Sequence, residues 1–99
     1  MDEGLDDTIF WFKSTCNYYN IPDSITKENV NTFFVCNDPD PMMPKTFLQA
    51  AIVWNDHSLA EKLISLGAKP RWFDLRAAKD DKMKELLIKA GAKIEDLLI

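Results

Sequence analysis

The chain is predicted to be all-α, and three observations carry that prediction. Apolar residues recur at steps of three and four along several stretches, the spacing of one helix face. The segment Leu63-Ile64-Ser65-Leu66-Gly67-Ala68-Lys69 returns 24 positions later as Leu87-Ile88-Lys89-Ala90-Gly91-Ala92-Lys93, so one helix ending is used twice. Pro39, Pro41 and Pro44 fall within six positions and separate residues 1–44 from residues 45–99. At 99 residues the chain has material for one domain and one core.

The first helix is expected to start near Asp6 or Asp7, acids suited to a helix N-terminus, and to run to about residue 19. Leu5, Ile9, Phe12, Cys16 and Tyr19 form its continuous stripe. Phe10, Trp11 and Tyr18 lie off that stripe, so the helix is sandwiched or offers a second face. Asn20-Ile21-Pro22-Asp23 ends it, because the residue before proline avoids the helical region. A second helix is expected over about 27 to 36, capped by Ser24 or Thr26, with Val30, Phe33 and Phe34 inward. Phe33-Phe34-Val35 also reads as a short strand, but the cap-like Thr26-Lys27-Glu28-Asn29 favours helix. The proline-rich stretch that follows is an extended or turning linker.

Residues 45–54 are predicted helical, with Phe47, Leu48, Ala51 and Ile52 on one face. Asn55-Asp56-His57 makes a tight turn. Ser58 with Glu61 three positions on reads as a capping box for a helix carrying Leu59, Leu63 and Leu66 inward. Gly67 supplies the left-handed residue past its end. A link through Lys69-Pro70-Arg71-Trp72-Phe73 leads to Asp74, taken as the cap of a short helix from Leu75 to Ala78. Asp80 and Asp81 open the last full helix, with Met83, Leu86, Leu87 and Ala90 inward and Gly91 as its stop. Residues 94–99 begin another helical turn.

Composition narrows the function classes. The chain is 46% hydrophobic and 28% charged, ordinary for a soluble globular domain. No apolar run approaches the roughly 18 to 20 residues that span a bilayer, and the acidic N-terminus is the opposite of a signal peptide's basic start. A cytoplasmic location is expected, in the source cell or in a host cell. Residues 1–44 carry eight acids against Lys13 and Lys27, a net −6, while residues 45–99 carry eight acids against ten Lys or Arg, a net +2. The acidic half disfavours direct nucleic-acid binding, which rests on neutralising phosphates; it suits a basic partner, or simply a solvated surface.

Catalytic and metal chemistry find little support. Cys16, Cys36 and His57 lack any metal-ligand spacing, and both cysteines sit among apolar residues as small hydrophobes. His57 is the single histidine; a turn, cap or contact role suits it better than catalysis, since neighbours in a turn point apart. Asp6-Asp7 and Asp80-Asp81 suit helix starts, and Asp38/Asp40 lack calcium-loop spacing. With three glycines, Gly4, Gly67 and Gly91, there is no phosphate-cradling loop. The expectation is a protein without enzyme activity, cofactor or metal.

The repeat extends beyond the glycine turn. Leu48-Gln49-Ala50-Ala51 is echoed 27 positions on by Leu75-Arg76-Ala77-Ala78. Each unit thus reads L-x-A-A, a polar turn, and an amphipathic helix ending L-I-x-x-G-A and Lys. This resembles the ankyrin repeat, whose hallmark is T-P-L-H-x-A-A, a turn, and a second helix running into L-L-x-x-G-A. Thr46 stands at the family threonine, Leu48 and Gln49 at the Leu-His places, Ala51 at an alanine place and Asn55 at the turn glycine. Leu63-Ile64 and Gly67-Ala68 match the second-helix ending. The resemblance covers residues 45–93. It departs from the family's period of about 33 residues and leaves eight positions from Gly67 to Leu75, too few for the projecting hairpin.

The resemblance implies a short ankyrin-like helical-hairpin stack, with residues 1–44 as N-terminal capping helices and a Pro-rich linker, since such stacks need atypical ends. It also implies a small protein–protein interaction module, an inhibitor, immunity or adaptor protein that binds and blocks a partner. The expected partner-binding residues are Trp54, Asn55, Asp56, His57, Arg71, Trp72 and Phe73, aromatics and Arg being enriched among residues that dominate binding energy. The competing reading of Trp54, Trp72 and Phe73 is that they plug the end of a small core. Met42 and Met43 are either a flexible apolar contact or linker packing. Alternatives from other classes are an acidic mimic of nucleic acid, a module self-associating into a homodimer through Leu97, Leu98 and Ile99, and a small hydrolase resting on His57.

Overall fold

The computed structural model describes residues 3–14, 18, 21–34 and 44–92, with the side chains of Glu3, Trp72 and Phe73 excepted. Five helices are present among the described residues: α1 Glu3–Ser14, α2 Phe47–Val53, α3 His57–Ser65, α4 Trp72–Ala77 and α5 Asp81–Lys89. The all-α class read from the sequence holds. Cys16, Tyr19, Cys36, Met42, Met43, Leu97, Leu98 and Ile99 lie outside the described residues.

The four later helices form two pairs. α2 packs on α3 and α4 packs on α5; across the pairs, α2 meets α4 and α3 meets α5. First helices therefore lie on first helices and second on second. The small residues of the L-x-A-A segment explain the close approach, because Ala50 and Ala51 are fully buried and place only a methyl group between neighbouring helices. Leu48, Ile52, Leu59, Leu63, Leu75, Met83 and Leu87 fill the space between the helices.

The duplicated ending has a specific geometry. In α3 the Ala68 N–H donates to the Leu63 carbonyl at 3.0 Å and Gly67 N–H to Ile64 at 2.9 Å. In α5 the Ala92 N–H donates to Leu87 at 2.9 Å and Gly91 N–H to Ile88 at 3.0 Å. Both are Schellman endings, in which the first residue past the cap takes a left-handed backbone. Gly67 and Gly91 sit at φ 107° and 113°, where an L side chain is strained. α2 ends the same way: Asp56 N–H donates to Ala51 and Asn55 N–H to Ile52, with Asn55 at φ 54°. Asparagine tolerates this conformation better than other non-glycine residues, which accounts for its place at the turn.

Several helix starts differ from expectation. α1 begins at Glu3 rather than at Asp6 or Asp7. Thr46, outside α2, accepts the Gln49 N–H at 3.0 Å, while the Gln49 side chain takes the Lys45 N–H at 2.7 Å. The cap of α3 is Asp56, not Ser58: its carboxylate accepts the Leu59 N–H at 3.0 Å, because the reversal at Asn55 is complete one residue later. Asp74 is not a cap either. α4 opens at Trp72, and Asp74, in its first turn, accepts the Arg71 N–H at 2.8 Å, the acidic half of a capping box. Trp72 and Phe73 thus belong to a helix and not to a link. Asp80 caps α5 as expected, accepting the Met83 N–H at 2.9 Å.

The helix expected over 27 to 36 is absent from its described part, residues 27–34, which form one turn followed by irregular chain. Asparagine side chains tie this turn to backbone groups just before it and at the end of α3. Asn29 Oδ1 accepts the Thr26 N–H and its Nδ2 donates to the Ser24 carbonyl. The side chain of Asn31 donates to the Gly67 carbonyl and accepts the Lys69 N–H, tying this turn to the end of α3. Phe34 N–H donates to the Lys45 carbonyl at 2.7 Å. Ile25, Val30 and Phe34 still reach the core.

α1 covers the first pair through Leu5, Ile9 and Phe12, the described members of the predicted stripe, all buried. Phe12 is the centre of an aromatic cluster with ring centroids 4.8 Å from Tyr18, 5.2 Å from Phe47 and 5.6 Å from Phe34. The Tyr18 hydroxyl donates to the Pro44 carbonyl at 2.7 Å.

Candidate functional site

The residues singled out for partner binding separate into three groups. Asn55 and His57 converge on Asp80. Asn55 Nδ2 donates to Asp80 Oδ2 at 3.1 Å, and His57 Nε2 lies 3.0 Å from Oδ1 and 3.1 Å from Oδ2. A carboxylate only accepts hydrogen bonds, so Nε2 carries the proton here. The Met83 N–H, His57 and Asn55, in that order of effect, hold the Asp80 carboxyl down to about 2. The α2–α3 turn is thereby fastened to the N-terminus of α5, which makes Asn55 and His57 joints between the helix pairs.

Asp80→Ala is expected to lower Tm at pH 7, since it removes the cap of α5 and leaves Asn55 and His57 unpartnered. Asp80→Asn retains a capping oxygen and should recover part of the loss; equal melting temperatures for the two variants would contradict this division of roles. The sign of the pH effect follows from the depressed folded value: the contribution is present above the ordinary carboxylate value near 4 and is lost as pH falls toward 2.

Arg71 is held by the N-terminal segment. Its Nη2 donates to the Asn31 carbonyl at 3.2 Å, and its guanidinium carbon lies 5.9 Å from the centroid of the Phe33 ring. The side chains of Trp72 and Phe73 lie outside the described set. Arg71 therefore serves as a clamp between the Asn31 turn and α4.

Trp54 and Asp56 form the third group, and here the structure adds residues that sequence reasoning missed. Trp54 is 38% exposed and its ring meets Trp11 of α1 at 5.1 Å between centroids, the planes inclined by 80°. The two indoles line one groove of about 330 Å³ between α1 and the α2–α3 turn. From α1 come Gly4, Asp7, Thr8 and Trp11; from the other wall come Trp54, Asp56 and Leu59. The α1 set is a second helical stripe, at steps of three, one and three. Its sequence signal is the placement of Trp11 off the core stripe, with Asp7 one turn before it.

Large apolar side chains are also displayed away from this groove. Phe10 on α1 is 73% exposed and Phe33 is 50% exposed. No group of three or more His, Cys, Asp or Glu side chains among the described residues is placed to hold a metal ion. No helix among them is long and apolar enough to cross a membrane. Comparison with protein-family models, with curated proteins and with solved structures gives no match.

Proposed function

We propose that this chain is a small protein–protein interaction module, an ankyrin-like inhibitor, immunity or adaptor protein that acts by covering a partner's surface. The observation that carries this reading is the display of Phe10, Phe33 and Trp54 at 73%, 50% and 38% exposure on a helix stack with a closed core. Exposed aromatics on a rigid scaffold lose little side-chain freedom on binding and supply large contact areas. The ankyrin-like assignment is supported by the layering of α2 on α4 and α3 on α5 and by the paired Schellman endings. With its contacts made by displayed aromatics, the module works without enzyme activity, and the cytoplasm is the compartment we assign to it.

The test is quantitative affinity capture from source cells, comparing the parent chain with Phe10→Ser and Trp54→Ser variants of verified fold. One partner should be recovered in near-stoichiometric yield and reduced at least tenfold by one of the substitutions. Equal recovery by all three proteins, or no partner enriched by the parent chain, overturns the reading. Displacement of nucleic acid from the captured partner would point instead to a nucleic-acid mimic.

A further inference from the structure

We propose that the groove between α1 and the α2–α3 turn is a receptor for one basic side chain, lysine or arginine, of a protein partner. This rests on the binding-module reading and specifies what one of its contact points recognises. The two indoles meet edge to face, their planes inclined by 80° with centroids 5.1 Å apart, so the edge of one rests on the other and together they form an aromatic lining of the groove. Indole is the strongest of the protein rings for holding a cation over its face. Asp7 and Asp56 line the same groove, and neither makes an ion pair among the described residues.

Aromatic walls with two carboxylates select an organic cation over an anion or a neutral group. The carboxylates supply charge, and the rings replace the water that a weakly hydrated head group gives up. Size agrees with this occupant. At about 330 Å³ the groove lies at the bottom of the range for small-molecule sites, roughly 300–1,000 Å³, and takes one long side chain. Leu59 and Thr8, both buried, lie at the groove's floor, and the indole rings are the surface a methylene stem would meet, as long basic side chains prefer.

Gly4 lines one end of the groove, where a Cβ would stand in ordinary contact with Leu59 at 3.8 Å. Among the described residues the Lys62 Nζ lies 3.7 Å from the same point, and Lys62 lines the neighbouring groove with Leu5, Ile25 and Leu66. The net −6 over residues 1–44 adds long-range attraction for a basic surface.

The experiment is an NMR titration of the ¹⁵N-labelled full chain with N-acetyl-arginine methylamide and N-acetyl-lysine methylamide. The neutral analogues N-acetyl-citrulline methylamide and N-acetyl-norleucine methylamide are run alongside, and the Trp11 and Trp54 indole N–H signals are followed. Saturable shifts of both signals are expected with the cations, on the order of millimolar affinity for such a fragment, at least fivefold tighter than with the neutral analogues. The double variant Asp7→Asn/Asp56→Asn should weaken cation binding at least fivefold; asparagine still caps a helix, and thermal melting checks that the fold is kept. Shifts that do not saturate, equal shifts from the neutral analogues, or unchanged affinity in the folded double variant each overturn the proposal.

The two readings fail separately. A partner captured equally well by the double variant, with no cation binding by the parent chain, removes the receptor groove and leaves the binding module standing. Cation binding by the parent chain without any captured partner establishes the groove's chemistry and removes the module.

Discussion

Phe12→Ala is expected to lower the unfolding free energy by about 3–5 kcal/mol, the range for truncating a buried aromatic. Phe12 is fully buried, and its ring is packed at 4.8–5.6 Å between centroids against Tyr18, Trp11, Phe47 and Phe34. These partners come from α1, α2 and the segments between them, so the cavity left behind cannot collapse by moving one side chain. For a chain of this size Tm falls by about 4–8 °C per kcal/mol, and thermal denaturation should show a drop well above 10 °C on that scale. Phe10→Ala, two positions away on the same helix and 73% exposed, should change stability by no more than about 0.5 kcal/mol. A large loss at Phe10 with little at Phe12 would mean that α1 docks by a different face.

Stability should also fall as pH rises from about 4 to about 6, through Asp74. Its side chain is buried; Oδ2 accepts the Arg71 N–H at 2.8 Å, and Oδ1 is buried with no hydrogen-bond partner among the described residues. Burial pushes its carboxyl up to about 6, against the smaller opposing pull of the Arg71 N–H and the Arg71 charge. The folded value is therefore above the unfolded one. Between the two the folded chain holds a proton that the unfolded chain has released, so stability declines with rising pH across that window and levels off above it.

A displacement of about two pH units corresponds to about 3 kcal/mol. Urea titrations at pH 4, 5, 6 and 7 measure it. Asp74→Asn keeps an oxygen for the Arg71 N–H but cannot ionise, and should abolish the slope between pH 4 and 6. A parent chain equally stable at pH 4 and 7 would show that Asp74 is solvated or paired in solution. Asp80 works in the opposite sense at lower pH, so the two carboxylates together place their joint optimum near pH 4.

The contrast between these two aspartates shows how far local pattern reaches. Both precede apolar helical runs and both read as caps, yet one is a half-buried cap and the other a buried first-turn acid. The difference comes from Arg71, whose extended backbone (φ −114°, ψ 171°) starts α4 three residues earlier than the Asp74 reading requires. The same limit applies at Ser58 and Asp56, where the left-handed Asn55 decides which of two good capping residues is used. In the candidate site, Trp54 and Asp56 were legible because they sit beside a recognisable turn. Asp7 and Trp11 were not, because their relation to that turn depends on where α1 docks.

What the sequence determined by itself is local. Apolar periodicity set the helical class and the core faces of α1, α2, α3 and α5, and L-I-x-x-G-A set two helix endings, because left-handed backbone at a helix end needs a residue such as glycine. The tertiary structure decided everything that depends on groups distant in the chain. Residues 27–34 form a turn and irregular chain whose Asn31 side chain is bonded to Gly67 and Lys69, partners 36 and 38 positions away that no local pattern records. Asn55 and His57 became joints because the packing of α3 on α5 brings Asp80 to them. The acidic aromatic groove exists only because α1 lies across the α2–α3 turn, and no periodicity within one segment records where another will pack.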